Sequence, residues 1–121
     1  MDALEMTLLF DYYGDLLTDR QRMCFDLRYN QDLTLAEIAQ ERGVSRQGVY
    51  DNIVRAEALL RNMEEKTGCV RRDQQLRKAV QAVSAATQKL GQLNDPTVQA
   101  LAREILGQLQ EIEDKLWHLK A

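Results

Sequence analysis

The chain has 121 residues and a net charge of −3, with one proline, two cysteines, one histidine and few aromatics. That length suits one compact domain, or a small domain with a helical extension, and the composition is that of an all-α protein. It argues against a uniformly basic, sequence-independent nucleic-acid coat, a disulfide-built secreted domain and a histidine-based catalytic or metal centre.

Asp2 and Glu5 stand where a secretory signal would be basic, and no apolar run is long enough to span a bilayer. Cys24 and Cys69 are far apart and form no C-x-x-C, so each reads as a small buried apolar residue in a reducing cytoplasm. There is no glycine-rich phosphate loop and no H-E-x-x-H, and His118 is the lone histidine. The expectation is a cytoplasmic, non-enzymatic protein without metal, cofactor or membrane segment.

Taken in order, residues 1–13 predict a first helix, with Leu4, Leu8 and Tyr12 on one face, Leu9 and Phe10 widening it, and Gly14 as its stop. Asp2, Glu5, Asp11, Asp15 and Asp19 precede the first basic residue, Arg20, as a solvated acidic face or as a patch for a basic partner. Thr18 and Gln21 make a capping box for a second helix to Tyr29, with Met23, Cys24 and Leu27 as its stripe and Asn30 as a left-handed stop. Arg20, Arg22 and Arg28 lie on it, within reach of phosphates beside a groove if one is bound.

The organising stretch is TLAEIAQERGVSRQGVYDNIVRAEALL, Thr34 to Leu60. Thr34 and Glu37 form a second capping box, and Leu35, Ile38 and Ala39 share a face of a short helix. Gly43 supplies the left-handed stop, Val44 is an apolar turn residue able to plug between the helices, and Ser45 caps the next helix. Val49, Ile53, Ala56, Leu60 and Met63 then form one buried stripe. The small Ala39 lets the two helices approach. This is a helix-turn-helix pattern.

The helix from Arg46 is the expected reading helix, running to Thr67 with Gly68 as its stop. Its outward face carries Gln47, Tyr50, Asp51, Val54, Ala58 and Arg61, with Arg46 at the tip. Arg46 suits a guanine edge and Gln47 an adenine edge in a major groove. Asp51 faces a polyanion unless it pairs with Arg55 or accepts from a cytosine amine. Ser45, Arg46, Gln47, Tyr50, Asp51 and Arg55 are therefore the candidate DNA-contacting residues. Arg20, Arg22, Thr34, Arg61, Arg71 and Arg72 are candidate phosphate contacts. Tyr50, Val54 and Ala58 equally suit a protein partner, and Arg61, Lys66, Arg71 and Arg72 an RNA.

From Cys69 the pattern changes. Arg71, Arg72, Arg77 and Lys78 form a basic cluster, and Leu76, Val83 and Leu90 recur every seven residues beside Val80 and Leu93. Asn94-Asp95-Pro96 is a turn and restart. Val98, Ile105, Ile112 and Leu119 recur every seven, flanked by Leu101, Leu109 and Leu116. The tail reads as an antiparallel αα-hairpin with a coiled-coil-like seam, and Trp117 as a packing anchor. The division falls as 1–68 for the helix-turn-helix domain and 69–121 for the hairpin, whose broad apolar stripe either folds back on the first domain or pairs with another chain; its breadth favours a homo-oligomer, dimer or higher, through 69–121.

With these residues in place the chain resembles the YlxM family of bacterial helix-turn-helix proteins. The resemblance is carried by LLFDYYGDLLTDRQ (Leu8 to Gln21), LTLAEIAQERGVSRQGVYDNIVRAEALL (Leu33 to Leu60) and EEKTG (Glu64 to Gly68), most specifically by SRQGVYDNI. It covers about the first seventy residues, and the tail by helical pattern alone. It implies an N-terminal domain similar to the promoter-reading region four of sigma factors, a winged-helix-like superfold without the wing. By that similarity Arg46, Gln47, Tyr50 and Asp51 fall where promoter bases are contacted. Asn52 departs from it, standing where an apolar core residue is usual, with Ile53 taking over the packing. The resemblance also implies a link to the signal recognition particle pathway, through its RNA, its GTPase or regulation of its genes.

Overall fold

In a computed structural model that describes residues 2–118, the chain is all-helical. The elements are α1 (Ala3–Tyr13), a 3-10 turn (Gly14–Leu16), α2 (Asp19–Tyr29), α3 (Leu35–Arg42), α4 (Arg46–Thr67), α5 (Cys69–Gly91) and α6 (Pro96–His118). Met1, Leu119 and the side chain of Trp117, all used in the sequence reading, lie outside what is described. The chain divides into two compact units between Val70 and Arg71, so Cys69 and Val70, placed in the hairpin from sequence, belong with the first unit.

The first unit is built around α4. At its N-terminal half, Val49 and Ile53 pack with Ile38 and Ala39 of α3 and with Cys24 and Leu27 of α2. At its C-terminal half, Ala56 and Leu60 pack with Met6, Leu9 and Tyr13 of α1, Phe25 of α2 and Val70. Burying each large aliphatic side chain contributes about 1.5–3 kcal/mol.

Both capping boxes form: Thr18 with Gln21, and Thr34 with Glu37. The carboxylate of Glu37, accepting the Thr34 backbone N–H, is held below its ordinary range by that bond. Gly43 and Gly68 both end their helices in the left-handed conformation, at φ 66° and 64°.

Three local expectations are corrected. The buried face of α1 is Met6, Leu9 and Tyr13, while Leu4 is 79% exposed. Leu8 and Tyr12 are only half-buried, because the deepest neighbours, Phe25 and Leu60, select the adjacent stripe. Gly14 does end α1, as its C-cap, but right-handed and leading into the 3-10 turn; a Cβ there would meet the Phe10 ring at 3.2 Å, so close packing is what its lack of a side chain serves. Asn30 is also right-handed, its amide bonding Asp26 Oδ1 at 2.7 Å, and Asp32 makes the reversal at φ 57°. Val44 lies on the surface rather than between the helices.

The second unit is the α5/α6 hairpin. Asp95 Oδ1 accepts the N–H groups of Thr97 and Val98, and Pro96 occupies the first helical position, so the turn forms as its residues dictate. The seam differs from the sequence reading. Val80, Thr87, Ala102 and Leu116 are buried, whereas Leu76, Val83, Leu90, Ile105 and Ile112 of the seven-residue repeats are exposed.

Candidate nucleic-acid interface

The α3–turn–α4 unit sets the geometry of the site. Ser45 Oγ accepts the Gly48 N–H at 3.0 Å and caps α4. A Cβ on Gly48 would come within 3.1 Å of that hydroxyl, so the glycine keeps the cap undisturbed. Arg46, Gln47, Tyr50, Asp51 and Arg55 are all exposed on the outward side of α4. Ile53 is buried beneath them, and Asn52, which departs from the sigma pattern, turns its amide back to Gly48 O at 2.9 Å.

Asp51 does not pair with Arg55. Its Oδ1 accepts from Gln47 Nε2 at 2.9 Å, one turn earlier. The bond partly neutralises the hydrogen-bonding demand of the carboxylate and fixes the Gln47 amide, leaving its oxygen and second N–H to face outward.

Arg46 and Tyr50 border a cleft of about 480 Å³ whose other walls include Arg28, Thr34, Leu35, Ala36 and Glu57. The first amides of α3, at Leu35 and Ala36, have no intrahelical acceptor, so this wall offers backbone donors and the positive end of a helix dipole. The Thr34 hydroxyl and the Arg46 guanidinium flank them. Arg28 is loosely engaged, with Nη1 3.4 Å from Leu33 O and 4.0 Å from Asp32. Glu57 is the one opposing charge on the lining; it faces Tyr29, whose phenol is pushed up first by burial and then by this carboxylate. Sequence reasoning named Thr34 as a phosphate contact but missed the Leu35 and Ala36 amides beside it and Glu57, although Arg46, Tyr50, Ile53 and Glu57 follow one helical ridge.

The other candidates are dispersed. Arg20 is exposed on α2 and makes no ion pair among the described residues. Arg22 is half-buried, its Nη2 3.4 Å from Leu17 O. Arg61 sits 3.9 Å from Glu57 and lies about 22 Å along α4 from Arg46 at 1.5 Å per residue. Arg71 and Arg72 belong to the second unit.

The first unit holds eight basic and thirteen acidic residues. Asp2 caps α1 and Glu5 and Asp11 lie on it, and α1 packs on the Ala56–Leu60 part of α4. That is some 15–20 Å along the helix from Arg46, beyond a Debye length of about 8 Å at physiological salt.

A glycine-turned helix pair, capped at both starts and carrying an exposed Arg–Gln tip, defines a helix-turn-helix protein. The chain belongs to the UPF0122 family, whose model, described as "Putative helix-turn-helix protein, YlxM / p13 like", matches residues 1–100. A UPF0122 protein of Thermoanaerobacter sp. (strain X514) is 39% identical over 112 residues, 92% of this chain and 96% of the relative. One from Halalkalibacterium halodurans is 38% identical over 111 residues, 92% and 94% of the two chains. A third, from Caldanaerobacter subterraneus subsp. tengcongensis, is 48% identical over 82 residues, 68% and 70%. No helix among the described residues is long and apolar enough to cross a membrane.

Proposed function

We propose that this is a sequence-specific DNA-binding regulator that acts as an oligomer assembled through 69–121 in the cytoplasm, within the signal recognition particle pathway that the family resemblance implies. The observation that carries the reading is the juxtaposition at the start of α4. Arg46 and Gln47 are exposed on the first turn of the second helix of the motif, and Thr34 with the free amides of α3 stands across the cleft from Arg46. Docked in a major groove, Arg46 and Gln47 read base edges while Thr34, Arg28 and the α3 amides hold a phosphate. Tyr50 lies between these two tasks, and Ser45 fixes the tip.

A second reading is supported by Tyr50 and Val54, which are 51% and 41% exposed on the same helix. In it the outward face of α4 meets a protein or RNA component of the signal recognition particle. An Arg46→Ala, Gln47→Ala double variant separates the two in a competition assay with duplexes of different sequence. Under the DNA reading it loses sequence preference, and each bidentate contact is worth about 1–3 kcal/mol. Unchanged DNA binding in the double variant rejects the regulator reading.

A further inference from the structure

The antiparallel register of the hairpin is fixed at both ends. Arg77 Nη2 donates to Leu116 O at 2.8 Å, and a Cβ on Gly91 would meet Ala102 Cβ at 3.6 Å. Between them the seam is narrow: Val80, Thr87 and Ala102 are buried there, and the Thr87 hydroxyl donates to Val83 O at 2.7 Å. The larger aliphatics of the seven-residue repeats are left outside this seam. Leu76, Val83 and Leu90 are 47%, 48% and 46% exposed, and Leu101, Ile105 and Ile112 are 53%, 39% and 41% exposed.

These two stripes share one side of the hairpin. Val83 lies four residues before the buried Thr87, and Ile105 lies three after the buried Ala102. At 100° per residue both trail their seam by about 40–60°. The same angular offset on two antiparallel helices points to the same face. From Leu76 to Leu90 that face is about 21 Å long. A contiguous apolar patch of this extent is uncommon on a monomer.

We infer that this face is covered by the same face of a second copy of the chain, giving a two-fold four-helix bundle in which α5 of each copy lies on α6 of the other. The inference specifies the partner and pairing of the oligomer proposed above. Two arguments select it. Leu76, Ala79, Val83, Ala86 and Leu90 form a three–four apolar repeat on α5, the spacing that packs helices at shallow angles, and a self-complementary stripe closes under two-fold symmetry. Charge then selects the pairing. Residues 71–91 hold five basic side chains against one acidic, and 96–118 hold two basic against four acidic. Stacking α5 on α5 sets like charge on like; stacking α5 on α6 sets opposite charges together.

Sedimentation equilibrium on the full chain, without DNA, tests the assembly. The mass of two chains is expected for the wild type and for the control Leu4→Glu. The mass of one chain is expected for Val83→Glu and for Ile112→Glu, with the helical circular dichroism signal retained. A wild type of any mass other than two chains, or a dimer that persists in either folded variant, overturns the proposal. Oxidative cross-linking tests the pairing, in a Cys24→Ala, Cys69→Ala background. Val83→Cys combined with Ile112→Cys is expected to give chain-to-chain disulfides that Val83→Cys alone does not. Equal cross-linking by Val83→Cys alone places α5 on α5 and refutes the arrangement. Neither readout involves Arg46 or Gln47, so failure here leaves the DNA reading standing, and failure of the DNA reading leaves the bundle standing.

Discussion

Tyr13 ties the end of α1 to the α4–α5 junction. Its hydroxyl donates to Glu64 Oε1 at 2.7 Å and lies 2.6 Å from Thr67 Oγ1, while the same Glu64 oxygen accepts the Val70 N–H at 3.1 Å. One carboxylate thus holds a side chain from the first helix and a first-turn amide of α5. Tyr13→Phe removes a charge-assisted bond and is expected to cost about 1.5–3 kcal/mol in urea unfolding. The phenol is raised above its ordinary value of 10.0, first by burial and then by Glu64. A raised value means that the folded state holds the proton more tightly than the unfolded chain. The associated stability is complete below pH 10 and is lost as pH rises through the folded value. Wild-type stability should therefore fall more steeply above pH 10 than that of Tyr13→Phe, and parallel profiles would show that the hydroxyl does not couple to folding.

At the scale of elements, the core is unevenly sensitive. Leu60 is fully buried where α1, α2 and α4 meet, so Leu60→Ala is expected to destabilise by about 2–5 kcal/mol. Leu4→Ala, on the exposed side of α1, should stay within about 0.5 kcal/mol, as measured by urea midpoints. Equal effects would place the α1 packing face back on Leu4, Leu8 and Tyr12. This contrast marks where sequence was informative. The helix-turn-helix was legible because its caps, Thr34, Ser45 and Gly43, act on backbone groups within a turn of themselves, and the α4 stripe had one long unambiguous phase. The faces of α1 and of the hairpin were not. In α1 nearly every turn offers an apolar residue on either side, and the choice is made by Phe25 and Leu60, distant in sequence. In the hairpin the strongest heptad belongs to the outer face, and the inner seam is made of residues such as Thr87 and Ala102 that carry little hydrophobic signal. The cleft beside Arg46 was half legible: its arginine and tyrosine announce themselves, but the start of α3 joins them only through the fold of the turn.

At the scale of the whole molecule, the net charge of −3 and the surplus of acidic residues in the first unit oppose binding to a polyanion. The α1 carboxylates oppose the Arg46 tip only over distance and salt, while Asp51, bonded to Gln47, and Glu57, in the cleft, oppose it locally. DNA binding by this chain is therefore expected to show modest affinity, few neutralised phosphates and a dependence on Arg46. Fluorescence anisotropy of the full chain against labelled duplexes, including the segment upstream of its own gene, measures all three over a salt series. Arg20, Arg28 and Arg55 are exposed. As phosphate contacts they predict a log–log slope of about −3 per reading head, while Arg46→Ala, which removes a base contact, is expected to weaken binding to the preferred duplex by about 1–3 kcal/mol and to flatten sequence preference. Absence of binding at low salt, or an affinity and sequence preference that Arg46→Ala leaves unchanged, would contradict the assignment of the α4 tip as a DNA-reading surface.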